Sequence, residues 1–158
     1  MNREKSITPR EALLLLTQYC SREERCIFDV KQKLKSFQLP ESSITEITEQ
    51  LIHDKYIDET RYAQAFANDK YKFNKWGKFK ISFALQQKHI PDSIIQQVIE
   101  NIPDEGYNNL LESELIKKMK TLPDSLSNFE KRGKLYRFAA SRGFSYDEVN
   151  KVLDALLK

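Results

Sequence analysis

Residues 85–98, LQQKHIPDSIIQQV, decide the fold, because the chain carries the same pattern twice more: LKSFQLPESSITEI at 34–47 and AASRGFSYDEVNKV at 139–152. Laid over one another without a gap, at offsets of 51 residues (34 to 85) and 54 (85 to 139), the three segments keep their apolar positions in step. Leu39, Ile90 and Phe144 coincide at a turn, Ile44, Ile95 and Val149 follow it, and Ile47, Val98 and Val152 come next. Apolar residues at steps of three and four mark amphipathic helices. Each segment therefore reads as the end of one helix, a tight turn and the next helix. A unit of roughly fifty residues recurring three times is the pattern of a helical repeat array, whose units bury their apolar faces against immediate neighbours.

Working outward, helix signals fill the rest of the chain. Thr8-Pro9-Arg10-Glu11 is a capping box with proline at the first helical position and predicts a helix over 8–20. Ser21-Arg22-Glu23-Glu24 repeats the signal and predicts a second helix to 36, with its start between Cys20 and Cys26. Pro40-Glu41 opens a third with Ile44, Ile47, Leu51 and Ile52 as its apolar stripe. Asp58 caps a fourth, in which Tyr62, Ala63, Ala65 and Phe66 are the buried candidates. A break near Gly77 separates it from a fifth that holds Phe79, Ile81, Phe83 and Leu85. Pro91-Asp92 begins the sixth, and the seventh runs over 106–120. Ser127 and Ser145, each with Glu three residues later, cap the eighth and ninth. No segment sustains the alternation of a strand. The expected fold is all-α, with three-helix units at 1–54, 55–104 and 105–158 set in a row and few contacts between the first and third. Tyr56 is expected to be mostly buried where the first two units meet, and Trp76 partly exposed.

Net charge is only +3 over 158 residues, too mild to mark a nucleic-acid binder by itself. Its placement says more. Between Lys70 and Lys80 lie five lysines (70, 72, 75, 78, 80), four aromatics (Tyr71, Phe73, Trp76, Phe79) and no acid, whereas 41–69 holds seven acids against two bases. Ammonium groups attract phosphates and aromatic faces stack on bases, so the mix suits a polyanion; a solvated helix face would also show such a run. The repeat register adds a second observation. Counting back from the aligned Val30, Ile81 and Leu135, the positions three and one earlier hold Ile27 and Asp29, Lys78 and Lys80, and Arg132 and Lys134. Units two and three thus carry bases at matching sites. Lys70, Lys72, Lys75, Trp76, Lys78, Lys80, Arg132 and Lys134 are the candidate binding residues, with Arg137 and Arg142 extending the third unit's share.

Other classes find little support. The apolar run Ala12 to Leu16 is short for a signal core or a membrane span. Cys20 and Cys26 read as reduced thiols of a cytoplasmic protein. His53 and His89 lack any metal-ligand spacing, so no metal site is expected. Glycines 77, 106, 133 and 143 are scattered, so no nucleotide cofactor is indicated. The acid pairs Asp58/Glu59 and Glu112/Glu114 are better explained as helix-terminal acids than as catalysts.

YIDETRYAQAF (56–66), KWGKFKISFALQQKHI (75–90) and RFAASRGFSYDEVNKVL (137–153) resemble the RecX regulatory proteins, bacterial modulators of the RecA recombinase. The resemblance covers nearly the whole chain. It implies tandem three-helix units in an elongated, curved arrangement; the residues themselves lead to the expectation of no membrane contact and no enzymatic activity, and the chain is expected to be a monomer. The resemblance also implies binding in the groove of the RecA filament on DNA and inhibition of recombinase and coprotease activities; the basic residues add an expected weak contact with single- or double-stranded DNA. Tyr56, Asp58, Arg61, Tyr62 and Ala63 match the second unit's opening motif; Gly77, Ile81, Leu85 and Ile90 match its later one. Gly143 keeps the turn glycine of the third unit, where it suits a left-handed helix cap. Lys78 stands where the family often has proline, and His89 where glycine is common. The alternative is a helix-turn-helix DNA-binding regulator, but that reading needs polar base-contacting side chains on a recognition helix. Helix 91–101 offers only Asp92 and Glu100 as ionised groups.

Overall fold

The computed structural model describes residues 6–157, and among these it contains nine α-helices and no strand. They are α1 (Pro9–Arg22), α2 (Ile27–Lys35), α3 (Glu41–His53), α4 (Glu59–Lys72), α5 (Lys78–Gln87), α6 (Asp92–Glu100), α7 (Asp104–Met119), α8 (Asn128–Ser141) and α9 (Tyr146–Leu156). Helix packing runs within consecutive triplets: α1 and α2 lie on α3, α4 to α6 pack on one another, and so do α7 to α9. Among the described residues, the hydrogen bonds between triplets join neighbours along the chain. The result is three tandem three-helix repeats.

Most helix starts lie where their capping signals put them. The side chains of Thr8, Asp58, Ser127 and Ser145 each accept from a backbone N–H three residues on, and Glu148 completes a capping box with Ser145. Two starts differ from expectation. Ser21 does not open α2; its hydroxyl donates back to the Thr17 carbonyl at 2.7 Å, and α1 continues to Arg22. The start of α2 falls after Cys26 instead of before it, and Cys26 offers no side-chain cap. Helix α7 begins at Asp104 and not at Gly106, because Pro103-Asp104 is the same start signal as Pro91-Asp92. Gly106 lies inside the first turn, where a Cβ would meet the Tyr71 hydroxyl at 2.9 Å.

The turn that defines the repeat has one backbone conformation in all three units. Gln38, His89 and Gly143, the aligned residues before Leu39, Ile90 and Phe144, have φ of 60°, 58° and 96°. In the second and third units the turn is a Schellman motif, with Ile90 N–H donating to the Leu85 carbonyl and Phe144 N–H to that of Ala139. A side chain in this left-handed region costs about 1–2 kcal/mol. His89 offsets part of that cost by stacking on Phe28 of the first unit, ring centroids 4.8 Å apart.

Burial is organised as two cores. Leu16, Val30, Leu34, Ile44 and Leu51 centre the first, which Ile57 joins; the second runs through units two and three and includes Ile81, Leu85, Tyr107, Leu111, Leu135 and Leu153. The aligned Val30, Ile81 and Leu135 are all fully buried. Several core expectations fail for one geometric reason, that a helix has a single inward stripe. Helix α5 buries Ile81 and Leu85, which turns Phe79 (66% exposed) and Phe83 (62%) outward on its other side. Ile52 and Ala65 are likewise exposed, displaced by Leu51 and by Ala63 and Ala67. Tyr56 is 36% exposed because the left-handed turn at Lys55 delivers Ile57, not Tyr56, to the core.

Units two and three meet backbone to backbone. Gly77 N–H donates to the Arg142 carbonyl at 2.6 Å, Phe79 N–H to the Gly143 carbonyl at 3.0 Å, and Lys78 N–H to the Tyr107 hydroxyl at 3.0 Å. That hydroxyl in turn donates to Glu148 Oε2 at 3.2 Å. Lys78 supplies here an N–H that a proline would lack. A Cβ on Gly77 would meet Phe144 N at 2.6 Å and the Gly143 carbonyl closer still, and one on Gly143 would meet Lys80 N at 2.6 Å. Gly77→Ala is therefore expected to lose about 1–3 kcal/mol by overpacking. Gly143→Ala should lose more, since its φ is also left-handed. Urea unfolding followed by circular dichroism measures both; a loss under 0.5 kcal/mol for either would contradict the tight seam.

Candidate nucleic-acid interface

The lysine and aromatic run ends α4, crosses a short loop and starts α5, which folds it around Trp76. Lys75 takes a left-handed φ of 60°, and Trp76 N–H donates to the Lys70 carbonyl at 3.1 Å, so the loop closes on the last turns of α4. The half-buried indole packs edge to face on Phe66, centroids 6.4 Å apart. Lys70 Nζ and Lys80 Nζ lie 5.2 and 4.7 Å from its centroid, both within cation–π range.

From Trp76 the cations continue onto the third unit. Lys80 Nζ donates to the Ser141 carbonyl at 3.3 Å, and Arg142 reaches back to the Asn74 carbonyl at 3.4 Å. The Arg142 guanidinium lies 5.1 Å from the Phe138 centroid, and Lys118 Nζ lies 5.5 Å from the same ring. Lys134 and Arg137 line the depression beside Phe138 and Lys118. Cations and rings thus alternate across the seam from Lys70 to Lys134. Of these cations, Lys70 has the one acid contact among the described residues, to Asp69 at 3.9 Å. Phosphates could be met along this track and bases stacked on Trp76.

The sequence candidates are not all drawn into it. Lys70, Trp76 and Lys80 come together, and Lys134 joins from α8. Lys72 is exposed nearby, its carbonyl accepting from Lys75 Nζ at 2.6 Å. Lys78 turns to the Tyr107 ring, 4.5 Å from its centroid, with Asp104 at 3.7 Å. Arg132 is engaged by Asp154 at 2.6 Å and by the Asn150 side chain at 3.0 Å. Lys118 and Phe138 were absent from the candidates. No spacing along the chain pairs them; the packing of α7 on α8 does. The family-motif residues mostly build structure. Asp58 caps α4, Arg61 pairs with Glu24 of the first unit at 2.6 Å, and Tyr62, Ile81 and Leu85 are core.

Among the described residues no cluster of three His, Cys, Asp or Glu is placed to hold a metal ion. Burial pushes the Cys26 thiol up to about 11, so it is protonated at neutral pH and a poor nucleophile. No described helix is long and apolar enough to cross a membrane.

Fold and surface together define an all-helical array of three-helix units with a basic, aromatic face at a unit seam. Family descriptions "RecX, second three-helix domain" and "RecX, third three-helix domain" match residues 58–99 and 105–153. A "Regulatory protein RecX" of Clostridium botulinum strain Eklund 17B is 32% identical over 156 residues, 96% of this chain and 70% of that protein. The chain belongs to the RecX family of regulatory proteins. It spans 55% of the Leuconostoc mesenteroides relative (27% identical, 93% of this chain) and 60% of the Clostridium tetani one (30% identical, 85% of this chain). The crystal structure of RecX from Lactobacillus salivarius has the same fold, with a TM-score of 0.84 at 23% identity over 94% of this chain and 96% of that one.

Trp76 is the sole tryptophan, so its emission reads this surface alone. With two ammonium groups on the ring, iodide is expected to quench it more efficiently than caesium. Lys70→Ala and Lys80→Ala should each narrow that difference; equal quenching by the two ions in the wild type would contradict a cationic setting.

Proposed function

We propose that the chain regulates a RecA recombinase by binding its filament on DNA and restraining recombinase and coprotease activity, as a cytoplasmic monomer without catalytic chemistry of its own. The observation that carries this reading is the track of cations and rings that crosses the seam from Lys70, Trp76 and Lys80 to Arg142, Phe138, Lys118 and Lys134. An extended strand needs such a continuous surface, and a repeat array offers one. The chain is taken as three units, 1–54, 55–104 and 105–158. Units two and three face the DNA, while the exposed Phe73, Phe79 and Phe83 supply apolar contact for the recombinase. The helix-turn-helix alternative has less in its favour, because α6 buries Ile95 and Val98 and carries only acids as ionised groups.

Lys118 and Lys134 have no ion pair among the described residues, so replacing both by alanine tests contact without disturbing the seam. Free protein should bind single-stranded DNA weakly, and the double variant should flatten the log-log salt slope by about 1.4, at roughly 0.7 per lost phosphate contact. Co-sedimentation with RecA filaments on DNA should weaken while helicity stays unchanged. If slope and co-sedimentation both match the wild type, the DNA contact is wrong and the acidic stretch 41–69 becomes the better filament-facing surface.

A further inference from the structure

Helix α8 contains a glycine for which its own fold gives no reason. Gly133 lies in the middle of the helix, where glycine is worse than alanine by about 1 kcal/mol. A Cβ there would meet nothing nearer than Arg137 Nη2 at 4.0 Å. This contrasts with Gly77, Gly106 and Gly143, each pressed by another element. The space left over Gly133 belongs to a pocket of about 440 Å³, within the range that holds small-molecule-sized groups.

Its walls carry two large rings that the fold leaves open to water: Phe129, 87% exposed, and Tyr146, 63% exposed. Neither is needed by the core, although Tyr146 makes an edge contact with Tyr136, centroids 5.3 Å apart. The pocket's charges are uneven. Glu130 is held by the Ser127 hydroxyl and Arg132 by Asp154, which leaves Lys134 and Arg137 without an acid partner among the described residues. Those same two cations line the depression beside Phe138 and Lys118, so the pocket opens onto the cationic track at one end. Flat rings, a floor cleared to the backbone and free cations at the rim suit a planar base joined to a phosphate.

We propose that the pocket over Gly133, walled by Phe129 and Tyr146 and rimmed by Lys134 and Arg137, is a nucleobase-binding site for one unstacked nucleotide of single-stranded DNA. It rests on the DNA half of the proposed function and deepens it, since it adds base recognition to phosphate contact. Along α8, Phe129 and Arg142 are about 20 Å apart at 1.5 Å per residue, so the strand would run from this pocket to Trp76.

The test uses the full chain and two fluorescent probes of equal length, oligothymidylate and an abasic tetrahydrofuran oligomer, with binding read by anisotropy at low salt. The wild type should prefer the base-bearing probe, each stacked base being worth about 5-fold or more. Phe129→Ala with Tyr146→Ala should cut that preference by at least about 5-fold and leave abasic binding unchanged. Gly133→Leu fills the pocket and should do the same while raising Tm by about 2–4 °C. This stabilised variant separates lost binding from lost folding. A preference that neither variant reduces overturns the site, because bases are then read elsewhere, as at Trp76. Equal wild-type affinity for the two probes also overturns it but leaves phosphate contact standing, and if Phe129→Ala then weakens co-sedimentation with DNA-free RecA, the occupant is a protein segment. Binding to neither probe removes the DNA reading itself.

Discussion

A helix start leaves backbone N–H groups without intrahelical partners, and they must be satisfied from somewhere. In this chain the second helix of a unit has them satisfied by the unit that follows. Helix α2 begins after Cys26, which provides no side-chain cap, and its Ile27 N–H donates to Glu59 Oε2 of the second unit at 3.4 Å. Helix α5 begins after Gly77, which has no side chain, and the third unit answers Gly77, Lys78 and Phe79 N–H in turn. Helix α8 differs in carrying its own cap, Ser127. The order of the units is therefore written into hydrogen bonds, and glycine at 77 and 143 lets the backbones come close enough to make them.

The candidate surface inherits its geometry from this arrangement. The start of α5 abuts the end of α8, where carbonyls without helical partners point outward, so the positive end of one helix dipole meets the negative end of another. Lys80, in the first turn of α5, then reaches the Ser141 carbonyl, and Arg142 returns to Asn74. Lys80 also lies over the Trp76 ring and Arg142 over that of Phe138, so the two crossings link both rings to the seam. The first unit is joined differently, by side chains: Arg61 to Glu24, Lys88 to Asp29 at 2.7 Å, and the Phe28 and His89 stack. The hydrogen bond to Asp29 raises the Lys88 pKa, favouring the charged ammonium in that link.

Much of the fold was legible because repeats and caps are local signals. The turn residues and the apolar stripes recur at readable offsets, and serine, threonine or aspartate announces four helix starts. The start of α2 was misread because its cap comes from Glu59, 32 residues away. The outward turn of Phe79 and Phe83 was hidden because α5 is apolar on both sides, which leaves no contrast to show the inward face. For the surface, Lys70, Trp76 and Lys80 are neighbours along the chain and could be found together. Lys118 and Phe138 belong to different helices. Arg132 matched the register of Lys78, yet both turn to partners within the fold, because register fixes where a backbone lies and not what a long side chain finds there.

The two cores have a dynamic consequence. Three repeats in sequence amount to two cooperative units in energy, since α4 to α9 share one core while α1 to α3, with Ile57, close around another. In a linear array each part opens with the free energy of its own core plus the interface it loses. The amides of α1 to α3 can thus exchange through an opening that leaves α4 to α9 intact, whereas the second and third units open together. Cys26 is the residue of the first unit that lies fully buried in the other core, so its thiol is shielded only while the two bodies stay docked. Its reactivity is a clock for their separation.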